Sequence, residues 1–204
     1  MKCQLINTPY VPIGSGLPRS NTPGKPHLTD VMQSIQKDLG TEYKGKGFQD
    51  RYLTMDLGFV WEDLLSYIYS ERSAHRIEEV EFQNIVGSPD GINDYDNVVA
   101  ESPLLATPQD LCLEEYKLTW KSTRSHPRDD WKYMTQIKSY LRMISGLYEM
   151  EITCCIMRII YVNGDYKGSG PIYRIGWFNF EWEEIEENWA MIYNHAKEKG
   201  MFNI

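Results

Sequence analysis

The stretch Leu111-Cys112-Leu113-Glu114-Glu115-Tyr116-Lys117-Leu118-Thr119-Trp120-Lys121 has the apolar content of a buried strand, yet carries charge in its middle. Alternate side chains of a strand share a face. Leu111, Leu113, Glu115, Lys117, Thr119 and Lys121 therefore point one way, and Cys112, Glu114, Tyr116, Leu118 and Trp120 the other. Glu115 and Lys117 become neighbours, each offsetting the other's charge. Ion pairs of this kind are common in sheets, and a Glu-x-Lys pattern alone decides little. Its meaning depends on what surrounds it.

Upstream, Pro89-Asp90-Gly91 is a turn signature. Pro presets one turn position, Asp bonds its own downstream backbone, and Gly accepts positive φ. The reading is a hairpin turn between a strand at 77–86, where Val80, Phe82, Asn84 and Val86 alternate with Glu79, Glu81, Gln83 and Ile85, and a returning strand at 93–100. Residues 103–110 then form a loop into the opening strand. Before the pair, 50–73 predicts a helix with Leu53, Leu57, Val60, Trp61, Leu64, Leu65 and Ile68 as its apolar stripe. Gly58 and Glu62 lie one turn apart on that helix, presenting a carboxylate beside a close backbone approach, with Asp63 as the rival acid. A shorter helix is expected over 28–39, with Thr29 as cap candidate and Gly40 as stop. Residues 1–26 hold five Pro and three Gly and read as an irregular arm, leaving 27–204 as a single domain.

Downstream of Lys121 a polar, basic loop reaches Asp129-Asp130, suited to cap a helix from about Trp131. Trp131, Met134, Ile137, Leu141, Ile144 and Tyr148 keep helical spacing, while Gln136 and Tyr140 lie one turn apart on another face. Residues 151–162 and 171–180 predict an antiparallel strand pair joined through Asn163-Gly164-Asp165. The first is the most apolar segment of the chain and holds Arg158, so it should be a central strand. A last helix over 181–199 has acids at its start, lysines near its end and Gly200 beyond. The expected architecture is α/β, a mixed central sheet flanked by helices.

The chain has 204 residues and a net charge of -8, enough for one domain with a substantial core. It has no apolar run near the roughly 18 residues that would span a bilayer, and no order of basic, apolar and small residues typical of a leader. A soluble, cytoplasmic protein is expected. Cys3, Cys112, Cys154 and Cys155 form no Cys-x-x-Cys pair and the four His are scattered, which argues against zinc or iron–sulfur sites. From Lys117 to Arg142 seven basic residues face only Asp129 and Asp130, a local balance of +5 in an acidic chain. That segment is either a solvated helix face or a phosphate-binding surface.

Taken together, Pro89-Asp90, then Glu115-Tyr116-Lys117 after 24 intervening residues, resembles the signature of the PD-(D/E)XK nuclease superfamily. Gly58-Phe59-Val60-Trp61-Glu62 resembles the acidic helix before it, and Gln136-Ile137-Lys138-Ser139-Tyr140 the Gln-x-x-x-Tyr motif of the RecB-like and lambda-exonuclease-like branch. The resemblance implies a restriction-endonuclease-like core and a Mg²⁺- or Mn²⁺-dependent DNA nuclease, with Glu62, Asp90, Glu115 and Lys117 as catalytic residues. It implies an exonuclease or DNA-end-processing enzyme of viral, phage or mobile-element type; alternatives are a structure-selective or site-specific endonuclease, or a non-cutting DNA-binding protein. Mg²⁺ takes one or two carboxylates with carbonyls and waters, which Glu62, Asp90, Glu115 and the Tyr116 carbonyl would supply. Lys117 would orient the attacking water. Lys121, Arg124, Arg128, Lys132, Gln136, Lys138, Tyr140 and Arg142 would contact DNA. A recombination or replication protein is a further candidate partner, and an oligomer is compatible with the resemblance. In a viral protein the compartment would be the host cytoplasm. Asp94 and Asp96 stand as rivals to Asp90, and the subgroup with an iron–sulfur cluster lacks its late cysteines here.

Overall fold

A computed structural model describes residues 24–41, 57–58, 60–61, 63–64, 79–94, 111–168 and 170–202. Helix α1 (Leu28–Asp38) precedes a two-stranded sheet of β1 (Val80–Phe82) and β2 (Ile85–Gly87). Strand β3 (Gly91–Asp94) then begins a second sheet with β4 (Leu111–Thr119), β5 (Cys154–Tyr161) and β6 (Ile172–Asn179), in the order β3-β4-β5-β6. Helix α2 (Trp131–Tyr148) connects β4 to β5, and α3 (Trp182–Glu198) follows β6. The four-stranded sheet is mixed. Strands β4 and β5 run parallel, whereas β3/β4 and β5/β6 are antiparallel. A parallel pair needs a crossover of a dozen or more residues, and α2 supplies it.

Strand periodicity sets which residues meet α2. In the β4/β5 register Leu113 pairs with Cys155, Glu115 with Met157 and Lys117 with Ile159, so one face carries all six. Ile137, Leu141 and Ile144 of α2 join Leu113, Cys155 and Met157 in a core completed by Ile185, Trp189 and Ile192 of α3 and by Leu28, Val31 and Met32 of α1. Cys112, Cys154 and Ile156 form a smaller cluster on the opposite face, with Trp177 against it. The two adjacent cysteines thus serve two different cores. Asp130 accepts from the Lys132 and Tyr133 backbone N–H groups at the start of α2, and a reciprocal Glu181/Glu184 capping box opens α3.

Three expectations need correction. The strand expected over 77–86 is a hairpin, because Gln83 and Asn84 adopt φ of 50° and 66° and reverse the chain within two residues. Pro89-Asp90-Gly91 is consequently a link between the two sheets rather than a hairpin turn; β3 begins at Gly91 and pairs with β4, not β2. The cap of α1 is His27, whose ring accepts from the Thr29 N–H while Thr29 Oγ1 bonds the same ring. Residues 1–23, and all of 95–110 from which the rest of the returning strand was expected, lie outside the described residues.

At Gly146 the small sheet packs closely against α2. A Cβ there would fall 2.6 Å from Phe82 Cε2, and that ring is already held between the Arg142 guanidinium, 4.3 Å from its centroid, and Trp189, 5.3 Å away. Overpacking costs about 1–3 kcal/mol, more than the roughly 1 kcal/mol by which Ala is favoured over Gly within a helix. Gly146→Ala should therefore lower stability by about 1 kcal/mol, read as a lower urea midpoint at unchanged m-value.

Candidate active site

The ladder between β3 and β4 ends at Gly91 opposite Glu114. Two residues further along β4, the Tyr116 N–H is taken by Asp90 Oδ2 at 2.7 Å, so a side chain replaces the departing strand. The N–H and C=O of one strand residue point to the same side. The Tyr116 carbonyl therefore opens on the edge where the Asp90 carboxylate sits. Pro89, with no N–H to satisfy, suits the point where the chain leaves β2 and approaches this edge.

Glu115 is buried at 1% exposure and is ion-paired with Lys117, whose side chain keeps 17% of its surface. Burial disfavours the Lys117 ammonium, but the Glu115 and Asp90 carboxylates outweigh it and hold the group well above its ordinary pKa. Lys117 is thus a fixed cation with two carboxylates in reach. Tyr140, buried on α2, has its phenol pushed up by burial and then by Glu115, with Asp90 adding to the effect. It remains a neutral hydroxyl, and Gln136 Nε2 donates to it over 3.1 Å. Asp90, Glu115, Lys117, Gln136 and Tyr140 are brought together at one edge.

The donor set is hard: two carboxylates and a backbone carbonyl, suited to Mg²⁺ or Mn²⁺ rather than a thiophilic ion. Cys155 shares the Glu115 face, but burial keeps its thiol protonated. Among the described residues no three His, Cys, Asp or Glu side chains form a metal-holding group, and Asp90 and Glu115 are two. Glu62, the third acid expected, lies outside the described residues, although its neighbours Trp61 and Asp63 are helical. Among the described residues, a Cβ at Gly58 would meet nothing within 4 Å. Leu57, Val60 and Leu64 of the expected apolar stripe are exposed. Asp94 pairs with Leu111 at the far end of β4, and Asp96 lies outside the described residues.

The basic residues divide. Lys132, Gln136 and Tyr140 form one i, i+4 row along α2, which leads from the buried hydroxyl to an exposed amine. Lys121 is ion-paired with Asp130 and sits 4.9 Å over the Tyr133 ring, and Arg124 and Arg128 are exposed on the loop before α2. Lys138 and Arg142 sit apart from the rest of the expected set. At 100° per residue they lie on the opposite side of α2 from Gln136 and Tyr140. There they bind Glu184 at 3.3 Å and Glu186 at 2.7 Å on α3. A run of positive charge in sequence was split by the helix into two faces.

One buried network went unforeseen. Glu114, beside Glu115 but on the opposite face, accepts from Arg158 Nε at 2.8 Å and from Nη2 at 3.0 Å, with both side chains fully buried. Asn93 Nδ2 donates to the same carboxylate at 3.0 Å, and Arg158 Nη1 donates to the Tyr173 hydroxyl at 3.3 Å. Arg158 inside an apolar strand was the available signal. Its partner lies 44 residues away and has no local signature.

No family model and no curated protein matches the chain. Among solved structures it is similar to SSO0001, at 16% identity and a TM-score of 0.47 over 91% of this chain and 79% of that one. It is similar to an alkaline exonuclease, LHK-Exo, from Laribacter hongkongensis, at 12% identity and a TM-score of 0.44 over 86% and 87%. A phage-related exonuclease from Haemophilus somnus 129PT has 12% identity and a TM-score of 0.39 over 85% and 80%. No described helix is long and apolar enough to cross a membrane.

The strand faces also fix thiol reactivity. Cys112, Cys154 and Cys155 are buried, and burial pushes the Cys112 and Cys155 thiols well above their ordinary pKa. The thiolate is the reactive form. In the folded protein these three should resist a thiol reagent such as DTNB at pH 8, whereas all four cysteines of the chain should react in guanidinium. Rapid native labelling of two or more would contradict the packing.

Proposed function

We propose that the protein is a Mg²⁺- or Mn²⁺-dependent DNA nuclease, an exonuclease or DNA-end-processing enzyme of the PD-(D/E)XK type. The observation that carries this reading is the Asp90 carboxylate bound to the Tyr116 N–H, which sets it on the strand edge beside the Glu115–Lys117 pair. Hydrolysis of a phosphodiester requires charge neutralisation on the nonbridging oxygens and an activated water; a divalent ion held by Asp90, Glu115 and the Tyr116 carbonyl supplies both when bound. Glu62 is the proposed additional ligand.

The chain's own groups do the rest. Tyr116 N–H fixes one carboxylate of the pair, and Lys117 holds the other through its ammonium. Lys117 acts as an electrostatic positioning group for the attacking water and the developing negative charge. Gln136 and Tyr140 border the reacting phosphate as neutral hydrogen-bonding groups. Lys121, Arg124, Arg128 and Lys132 are the proposed DNA contacts. A viral or mobile-element role, a recombination or replication partner and an oligomeric form belong to the same proposal and rest on the sequence resemblance.

The test is cleavage of end-labelled linear DNA and of covalently closed circular DNA with Mg²⁺, with Mn²⁺ and with EDTA. Metal-dependent loss of the linear substrate with survival of the circle is the expected result. Cutting of the circle would identify an endonuclease instead, and intact DNA of every form would contradict the nuclease reading.

A further inference from the structure

Trp131 opens α2 between two surfaces of opposite charge. Arg124 and Arg128, both exposed, stand on the loop just before it. Asp129 is the exposed acid beside them, while Asp130 is engaged by Lys121 and by the cap of α2. Past Trp131 a groove of about 330 Å³ runs between α2 and α3, lined by Trp131, Met134, Lys138, Glu184, Glu187 and Met191. Lys138 lies two turns, or about 10 Å, along α2 from Trp131. It holds Glu184 at 3.3 Å, which fixes the far end of the groove as the acidic one. Glu183 and Glu187 are both exposed, one turn apart on α3. Lys138 is the cation among the lining residues, and Glu184 takes it.

The middle of this face is apolar. Trp131 and Met134 are half-buried, and Met191 keeps 37% of its surface. Aromatic residues, Met and Arg are enriched where protein surfaces meet. In order along the face come cations, an apolar centre and carboxylates. A two-fold axis through the centre turns one copy end for end, and in such a contact residue i meets j while j meets i. The cations of each copy then fall on the carboxylates of the other. The chain carries a net charge of -8, so two copies repel at long range and their association must come from this local match.

We propose that this face is a self-complementary interface on which a second copy of the chain docks about a two-fold axis near Trp131, with Arg124 and Arg128 of each copy facing Glu183 and Glu187 of the other. The interface goes beyond the nuclease reading and stands whether or not the protein cuts DNA. Arg124 and Arg128 are also proposed DNA contacts, so the paired form withholds them from nucleic acid.

Sedimentation velocity of the full chain across the micromolar range tests it. Salt is set at about 0.1 M and then at about 1 M, where the screening length falls from about 10 Å to about 3 Å. The wild-type protein should sediment as a dimer at the lower salt and associate about ten-fold more weakly at the higher. Arg124→Glu/Arg128→Glu and Glu183→Lys/Glu187→Lys should each weaken self-association by about ten-fold or more. An equimolar mixture of the two variants should regain it, because each reversed end then meets its opposite. Glu183 lies in the first turn of α3, where lysine opposes the helix dipole, so Glu183→Gln/Glu187→Gln, which adds no positive charge, must weaken pairing in the same direction. A wild-type monomer throughout the range, or a dimer indifferent to salt or to both reversals, would overturn the interface. A mixture of folded variants that stays apart would overturn it as well. Assemblies longer than two in the mixture would overturn the two-fold arrangement, since a closed isologous contact stops at the dimer.

Discussion

Asp90→Asn should reduce metal-dependent DNA cleavage by about a thousand-fold with little loss of stability. The asparagine Oδ1 can still accept from the Tyr116 N–H, so the strand edge keeps its partner and only the negative charge disappears. Removing one anionic ligand forfeits several kcal/mol of transition-state stabilisation supplied through the metal, and each 1.36 kcal/mol corresponds to about ten-fold in rate. Glu115→Gln should match it in rate. Its structural consequence differs, because Lys117 loses a buried ion-pair partner, so some fall in stability is expected alongside. Initial rates on labelled linear DNA, with thermal melting of the same preparations, separate the two effects. A variant at position 90 that melts normally and cuts within ten-fold of wild type would remove Asp90 from the site.

The largest stability effect is expected on the opposite face of the same strand. Arg158→Met leaves the Glu114 carboxylate fully buried without its guanidinium, and breaking such a pair costs about 3–5 kcal/mol. For a chain of this size that lowers the melting temperature by on the order of 10 °C. Asn93 keeps its bond to Glu114 but cannot neutralise it. The double variant Glu114→Leu/Arg158→Met removes both charges, and buried pairs replaced by apolar residues are often neutral or better. It should recover most of the loss. A single variant as stable as wild type would show that the pair is not buried as described, and a double variant worse than either single would show that the carboxylate has a further role.

Adjacent glutamates with opposite duties explain what could and could not be read from the sequence. Alternation along 111–119 was enough to place Glu115 beside Lys117, and an interposed helical period was enough to expect α2 and its Asp130 cap. The mixed sheet was expected together with the resemblance, because periods fix faces and not strand direction. Alternation could not show where β1 ends. A two-residue turn exchanges faces without any Gly or Pro to mark it, so Val86 looked like a continuation of Val80 although Gly87 is the residue that pairs with it. Counting charge along 117–142 hid the helical phase that sends Lys138 and Arg142 to α3. That phase was legible, since each lies two residues from Gln136 or Tyr140. The Glu114–Arg158 pair and the docking of Asp90 on Tyr116 are contacts between segments distant in sequence, and no local pattern encodes them.

Mn²⁺ diffused into crystals of the protein and located by anomalous scattering tests the shared-cation site most directly. The expected result is a peak about 2.1 Å from carboxylate oxygens of both Asp90 and Glu115 and from the Tyr116 carbonyl. Mn²⁺ bound elsewhere while that edge stays empty, or bound to one carboxylate with the Tyr116 carbonyl turned away, would contradict it.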